Sequence, residues 1–287
     1  MTAMFSHQIE VRSHLDFQLN EVPRFWFDNN PYATRLFDSI SMLFPVGERF
    51  FISSIRPYRA QIQDPALAES VADFCKQEGQ HGIQHTLYND LLIQQGTPTA
   101  EIIDKFSERL EEIKKAAPLE MHLATTAALE HMTALMAEAM FSRPEIMANA
   151  HPNMRALLAW HAIEEMEHRA VAFDVLTKVV KTSYRKRVLA MTMVVPRFWR
   201  DALVHTDQML KADGFSRLER LNMARKTLPL FFGRKGILTA VSNEFFQYYR
   251  RDFHPNDIPV LKHYPRWLSA FEASGDPIYA SQQMYAN

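Results

Sequence analysis

Four separated helical stretches each carry a carboxylate set apart by apolar neighbours or by a histidine at helical spacing, in the order Glu48, Glu78, Glu130 and Glu165. The second and fourth also open a Glu-x-x-His unit, Glu78-Gly79-Gln80-His81 and Glu165-Met166-Glu167-His168. On an α-helix, residues three or four apart share a face, so each unit presents a carboxylate and an imidazole side by side. His161, four residues before Glu165, extends the last stripe to two imidazoles and a carboxylate. Glu48 and Glu130 sit among apolar neighbours, where a buried unpaired carboxylate is costly and a cation would relieve it. Any fold for this chain has to bring these pieces together or leave them in water.

The spacing favours the first outcome. Glu48 and Glu78 lie 30 residues apart, and Glu130 and Glu165 lie 35 apart. At about 1.5 Å of rise per residue, a helix up, a turn and a helix down return the chain to the same level. Each pair therefore predicts an antiparallel helical hairpin. The 52 residues between Glu78 and Glu130 leave room for an extra helix and a long crossover. The expected fold is all-α: a four-helix bundle with one long crossover and additional C-terminal helices.

Local signals set the expected elements. Residues 1–30 read as an N-terminal arm ending at Asn29-Asn30-Pro31. A helical pattern runs from Tyr32 to Tyr58, kinked at Pro45. Asp64-Pro65 caps a long helix to about Gln95, stopped by Gly96-Thr97-Pro98. A charged surface helix spans about 99–115. A third long helix runs from Pro118 to about Phe141, and a fourth from about Asn153 to Lys181. Beyond 183 a helix is expected to Ala212, then shorter ones over about 216–226 and 237–251, with a weak signal after Phe253-His254-Pro255. The expected division is 1–30 arm, 31–182 bundle with a two-metal site, and 183–287 helical extension packed on the bundle.

Composition narrows the function. With 32 basic and 33 acidic residues the formal charge is −1, so no global field points to nucleic acid. No apolar run reaches the roughly 20 residues of a spanning helix, so stable membrane insertion is not expected. The single cysteine, Cys75, and the absence of a signal-peptide pattern over Met1–His14 give a cytoplasmic expectation. Only eight glycines, with no phosphate-cradling loop, argue against a nucleotide-binding α/β fold.

The order of motifs resembles the ferritin-like di-iron carboxylate proteins, in which two helices give one Glu each and two give Glu-x-x-His. The run His161-x-x-x-Glu165-x-x-His168 is similar to the arylamine N-oxygenases of that superfamily, which have a third histidine ligand. Leu43-Phe44-Pro45-Val46-Gly47-Glu48-Arg49-Phe50-Phe51, Glu78-Gly79-Gln80-His81 and Asp252-Phe253-His254-Pro255 resemble a bacterial family named for a predicted metal-dependent hydrolase, over most of residues 30–260. The resemblance implies a metal set of Glu48, Glu78, His81, Glu130, His161, Glu165 and His168, with Glu78 and Glu165 as candidate bridges. Four carboxylates offset the charge of two cations about 3.5–4 Å apart. A carboxylate-rich, nitrogen-poor set suits two iron ions, with manganese or zinc as alternatives.

Other residues keep simpler readings. Glu164 competes with Glu165 for the ligand role. Glu167 is expected in solvent, His85 and His131 in supporting or structural places, Met132, Met136 and Met140 in the core, and Arg185–Arg187 on a solvated helix start. Three functions follow. The first is a di-iron oxygenase or oxidase using O2 and an electron donor on a small apolar or amine-bearing substrate. The second is a hydrolase with a two-metal-activated water. The third is a non-catalytic iron-binding protein. A C-terminal region of about 100 residues suits a lid or a homodimer surface.

Overall fold

The computed structural model describes residues 9–259 and 261–284, and these contain helices and turns but no strand; an isolated antiparallel bridge joins Phe27 to Ala150. The first eight residues of the expected arm lie outside the described residues. The all-α expectation holds.

Proline and capping side chains set most boundaries. Asn30 accepts a hydrogen bond from Ala33 N and starts α1 (Pro31–Ser41) with proline at its first position. The expected kink at Pro45 is a full break: α1 ends, the chain turns through Met42 and Leu43, and α2 (Phe44–Ile55) begins. Proline fits that first turn because its missing N–H has no intrahelical partner there. Asp64 caps α3 (Pro65–Gln94) through Ala66 N. Then come α4 (Thr99–Ala116), α5 (Leu119–Phe141), the single turn α6 (Pro144–Met147) and α7 (Pro152–His168).

The fourth helix corrects the sequence reading. It does not run to Lys181 but stops at His168, followed by α8 (Val171–Asp174) and a π-helical turn over Val175–Val179. No proline or glycine marks this break. Arg169, buried at the junction, donates to the carbonyl of Ile258 at 2.7 Å, so a tertiary contact acts where local propensity would continue the helix. The remaining helices are α9 (Tyr184–Ala212), α10 (Arg217–Phe232), α11 (Ser242–Gln247), α12 (Tyr264–Ser274) and α13 (Pro277–Gln283). The last two stand where the sequence signal was weak. Asp276 caps α13 by accepting from Ile278 N and Tyr279 N, just after Gly275 at φ 66°.

Four helices close a ring: α2 packs on α3 and α5, and α7 packs on the same two from the other side. Around it, α9 covers α1 and α5, and α13 lies on α7 with α12 against it. The segment before α1 is irregular but packed, with Phe17 and Trp26 buried and Phe17 lying 5.5 Å from the Trp160 ring. Arg187 also departs from expectation. Its neighbours Arg185 and Lys186 are exposed, but Arg187 is buried over the rings of Phe173, Tyr184 and Tyr248.

Candidate metal centre

The interior of the ring holds what an ordinary core excludes. Glu48 comes from α2, Glu78 and His81 from α3, Glu130 from α5, and His161, Glu165 and His168 from α7, and all seven are buried. The structure brings every one of these sequence-selected residues into one place.

Their donor atoms form overlapping groups. Glu48, Glu78 and His81 offer atoms within 4.8 Å of one another, as do Glu78, Glu130 and His168, and also His81, His161 and Glu165. Glu78 belongs to two of these groups. Glu165 Oε1 lies 3.0 Å from His161 Nε2, 3.6 Å from His168 Nε2 and 3.9 Å from His81 Nδ1. Glu48, with His85 and His161, forms a further group, so Glu48 and Glu78 each join two groups while Glu165 lies near three imidazoles. The backbone is shaped for close approach: a Cβ added at Gly82, beside His81, would sit 3.3 Å from Glu48 Oε2.

Both oxygens of Glu48, Glu78 and Glu130 are buried without a hydrogen-bond partner, and so are His81 Nδ1 and His168 Nε2. His168 Nε2 stands between carboxylates, 3.2 Å from Glu78 Oε1 and 3.4 Å from Glu130 Oε2, rather than bonding one of them. A folded chain leaves few buried polar atoms unpaired, and a cluster of them converging with metal-ligand chemistry fits a cation site. The donor set fits divalent or trivalent cations in both number and charge.

The electrostatics agree. Burial, and then the neighbouring carboxylates, push Glu48 and Glu130 well above the usual glutamate range. Glu78 is raised by burial, with His168 opposing. Glu165 runs the other way: burial would raise it, but hydrogen bonding to His161 and the proximity of His168 hold it well below the usual value. Burial would lower His168, yet Glu130, Glu165 and Glu78 raise it well above its ordinary range. Burial and the nearby imidazole of His161 lower His81 and His85. A cation takes the place of the shared protons in such a cluster.

The free ring nitrogens are set from behind. His81 donates through Nε2 to Glu164 Oε2 at 3.1 Å, which turns Nδ1 toward the cluster. His168 donates through Nδ1 to Gln77 Oε1 at 2.7 Å, which turns Nε2 inward. His161 Nδ1 shares a hydrogen bond with His85 Nε2 at 2.7 Å, and His85 Nδ1 meets Ser41 Oγ at 2.8 Å. Thr133 donates to Glu165 Oε2. Glu164 therefore faces the back of His81. Glu167, expected in solvent, is buried; its oxygens take hydrogen bonds from Arg12, Gln77 and Tyr264. His131 points away from Glu130 toward Tyr248 and Phe253. Sequence reasoning missed Arg12 altogether; an arginine in an irregular arm gives no periodic signal.

An apolar cavity of about 30 Å³ opens beside His161, Glu165 and Thr133, walled by Ile40, Phe44, Met136 and Met140. A larger cleft of about 410 Å³ between α4 and α9 is lined by none of the seven donors.

A family model described as a predicted metal-dependent hydrolase matches residues 11–258. The chain belongs to that family. The match spans the four donor helices and runs from the residue before Arg12 to Ile258. No curated protein and no solved structure matches the chain significantly. The buried glutamate and histidine groups agree with the metal in the family's description. Among the described residues, no helix is long and apolar enough to cross a membrane.

Proposed function

We propose that Glu48, Glu78, His81, Glu130, His161, Glu165 and His168 hold two metal ions, and that the protein is a carboxylate-bridged di-iron enzyme of the oxygenase or oxidase type. The observation that carries this reading is the set of buried, unpartnered donor atoms on Glu48, Glu78, Glu130, His81 and His168. Four carboxylates to three imidazoles is a hard, oxygen-rich set that suits iron or manganese better than zinc. On this reading Glu48, Glu78, Glu130 and Glu165 would supply the carboxylate oxygens and His81, His161 and His168 the nitrogens, with Glu78 and Glu165 as the candidate shared ligands.

When bound, iron would supply redox chemistry toward O2, with the electrons for turnover coming from an external donor. The chain supplies the rest. His85 and Ser41 fix the ring of His161. Thr133 holds one Glu165 oxygen and places a hydroxyl at the cavity wall, where it can hold a proton next to the reacting molecule. A cavity of about 30 Å³ admits a diatomic molecule or a water. Its walls of Ile40, Phe44, Met136 and Met140 favour an apolar guest and exclude bulk water. The substrate on this reading is small and apolar or amine-bearing.

The family's description favours a second reading, hydrolysis by a metal-activated water. One experiment separates the two. Protein loaded anaerobically with Fe(II) is mixed with O2 while visible absorption and O2 uptake are followed, and the same protein loaded with zinc is tested on simple esters, amides and phosphoesters. Oxygen uptake with a new absorption band, and no zinc-dependent hydrolysis, is the expected result. Zinc-dependent hydrolysis with inert iron protein would replace the oxygenase by the hydrolase.

A further inference from the structure

Behind the donors, a second layer of charge ties two metal-facing histidines to both ends of the chain. Glu164 receives His81 Nε2, and Gln77 receives His168 Nδ1 and donates onward to Glu167 Oε2 at 2.8 Å. Glu164 and Glu167 lie three residues apart on α7, so the two supports stand on one helical face. Arg12 joins them. Its guanidinium donates to Glu164 Oε1 at 3.1 Å and to Glu167 Oε1 and Oε2 at 2.8 and 3.1 Å, with the side chain only 2% exposed. Glu10 N also reaches Glu167, at 3.1 Å. From the other side, Tyr264 donates to Glu167 Oε1 at 2.9 Å, and the guanidinium lies 5.4 Å from the Trp267 ring of α12.

We infer that Arg12 is a positioning residue for the metal centre: by bridging Glu164 and Glu167 it fixes which nitrogen of His81 and of His168 faces the ions. The inference rests on the two-metal reading. Two buried carboxylates one turn apart repel without a cation between them, and the rings they orient then lose their fixed acceptors. A planar, bidentate donor suits this place, and a lysine ammonium keeps the charge but not the fork. Coupling runs in both directions, so ions that hold His81 and His168 in place also hold the arm down.

The test uses the full chain stripped of metal and titrated anaerobically with Co(II), read by the visible ligand-field bands, with helix content followed by circular dichroism. Wild type takes up two Co(II). Arg12→Ala is expected to bind about tenfold or more weakly, as for other partners behind metal ligands, with shifted bands and unchanged helix content. Arg12→Lys recovers part of the affinity. Backbone amide exchange over residues 9–15 slows on Co(II) loading in wild type and not in Arg12→Ala. Should Arg12→Ala not fold, Arg12→Lys and Glu167→Gln carry the same comparison. Wild-type affinity and bands in the folded variants overturn the positioning role alone. A wild-type chain that takes up no Co(II) overturns the metal centre itself.

Discussion

Two buried acid clusters in this molecule handle charge in opposite ways. At one, Asp38 of α1 accepts from Arg35 at 2.7 Å, Trp26 Nε1 at 2.9 Å and Tyr88 OH at 2.5 Å, while Arg35 also binds Asp213 at 2.7 Å. Every charge there has a counter-charge within the chain. At the other, Glu48, Glu78 and Glu130 are as deeply buried and accept no hydrogen bond, with the His168 imidazole shared between Glu78 and Glu130 at 3.2 and 3.4 Å. The same helical scaffold holds both, and among the described residues half-buried carboxylates elsewhere, such as Glu138 and Glu244, leave one buried oxygen unpaired rather than two. The first cluster is complete as protein and ties α1 to the residue that ends α9. On the proposed reading, cations complete the second.

That contrast can be broken by measurement. The largest effect is expected at the completed cluster. Asp38→Ala leaves Arg35 short of a partner and should cost about 3–5 kcal/mol by chemical denaturation, with or without metal. Next, metal should stabilise the wild-type chain by about 4 kcal/mol at a thousandfold excess over its dissociation constant, and Glu165→Ala should remove that increment. The increment also carries a pH sign. Glu48 and Glu130 bind protons well above the ordinary value of 4.5, so the metal-free fold loses stability as pH rises through that range. Protons compete with the ions as pH falls, so the gap between loaded and metal-free melting temperatures should narrow on acidification, beginning well above pH 4.5.

A third effect reverses the usual direction. Glu130→Gln removes a buried carboxyl that accepts no hydrogen bond and has only the shared His168 imidazole at 3.4 Å beside it, so the metal-free variant should equal wild type or exceed it by about 1–3 kcal/mol while losing metal uptake. A large loss of stability in the metal-free variant would show that the Glu130–His168 pair already completes this cluster without a cation. The smallest effect concerns Ser41→Ala, which removes the hydroxyl behind His85. It should cost about 1 kcal/mol by chemical denaturation and leave two ions bound.

The sequence made the donor helices legible because two independent periodic signals coincide on them. The Glu-x-x-His spacing put pairs on one face of α3 and α7, and Asp64-Pro65 and Pro118 marked the starts of α3 and α5. Other features had no such signal. The end of α7 at His168 depends on Arg169 bonding Ile258, some 90 residues away. Glu167 looked solvent-facing because nothing in its own helix showed that Arg12 and Tyr264 would cover it. Arg187 sits in a basic run, and only the tertiary stack of Phe173 and Tyr248 buries it. In each case a long-range contact overrides a local pattern. The helices α12 and α13 follow the same rule: the structure packs α13 on α7 and the aromatic face of α12 on Arg12.

Metal content after anaerobic reconstitution with Fe(II) tests the central claim most directly. Wild type should hold two irons per chain, and Glu165→Ala should hold none or a fraction while keeping its helix content. A wild-type chain that retains no iron, or a Glu165→Ala chain that still retains two, would contradict the account.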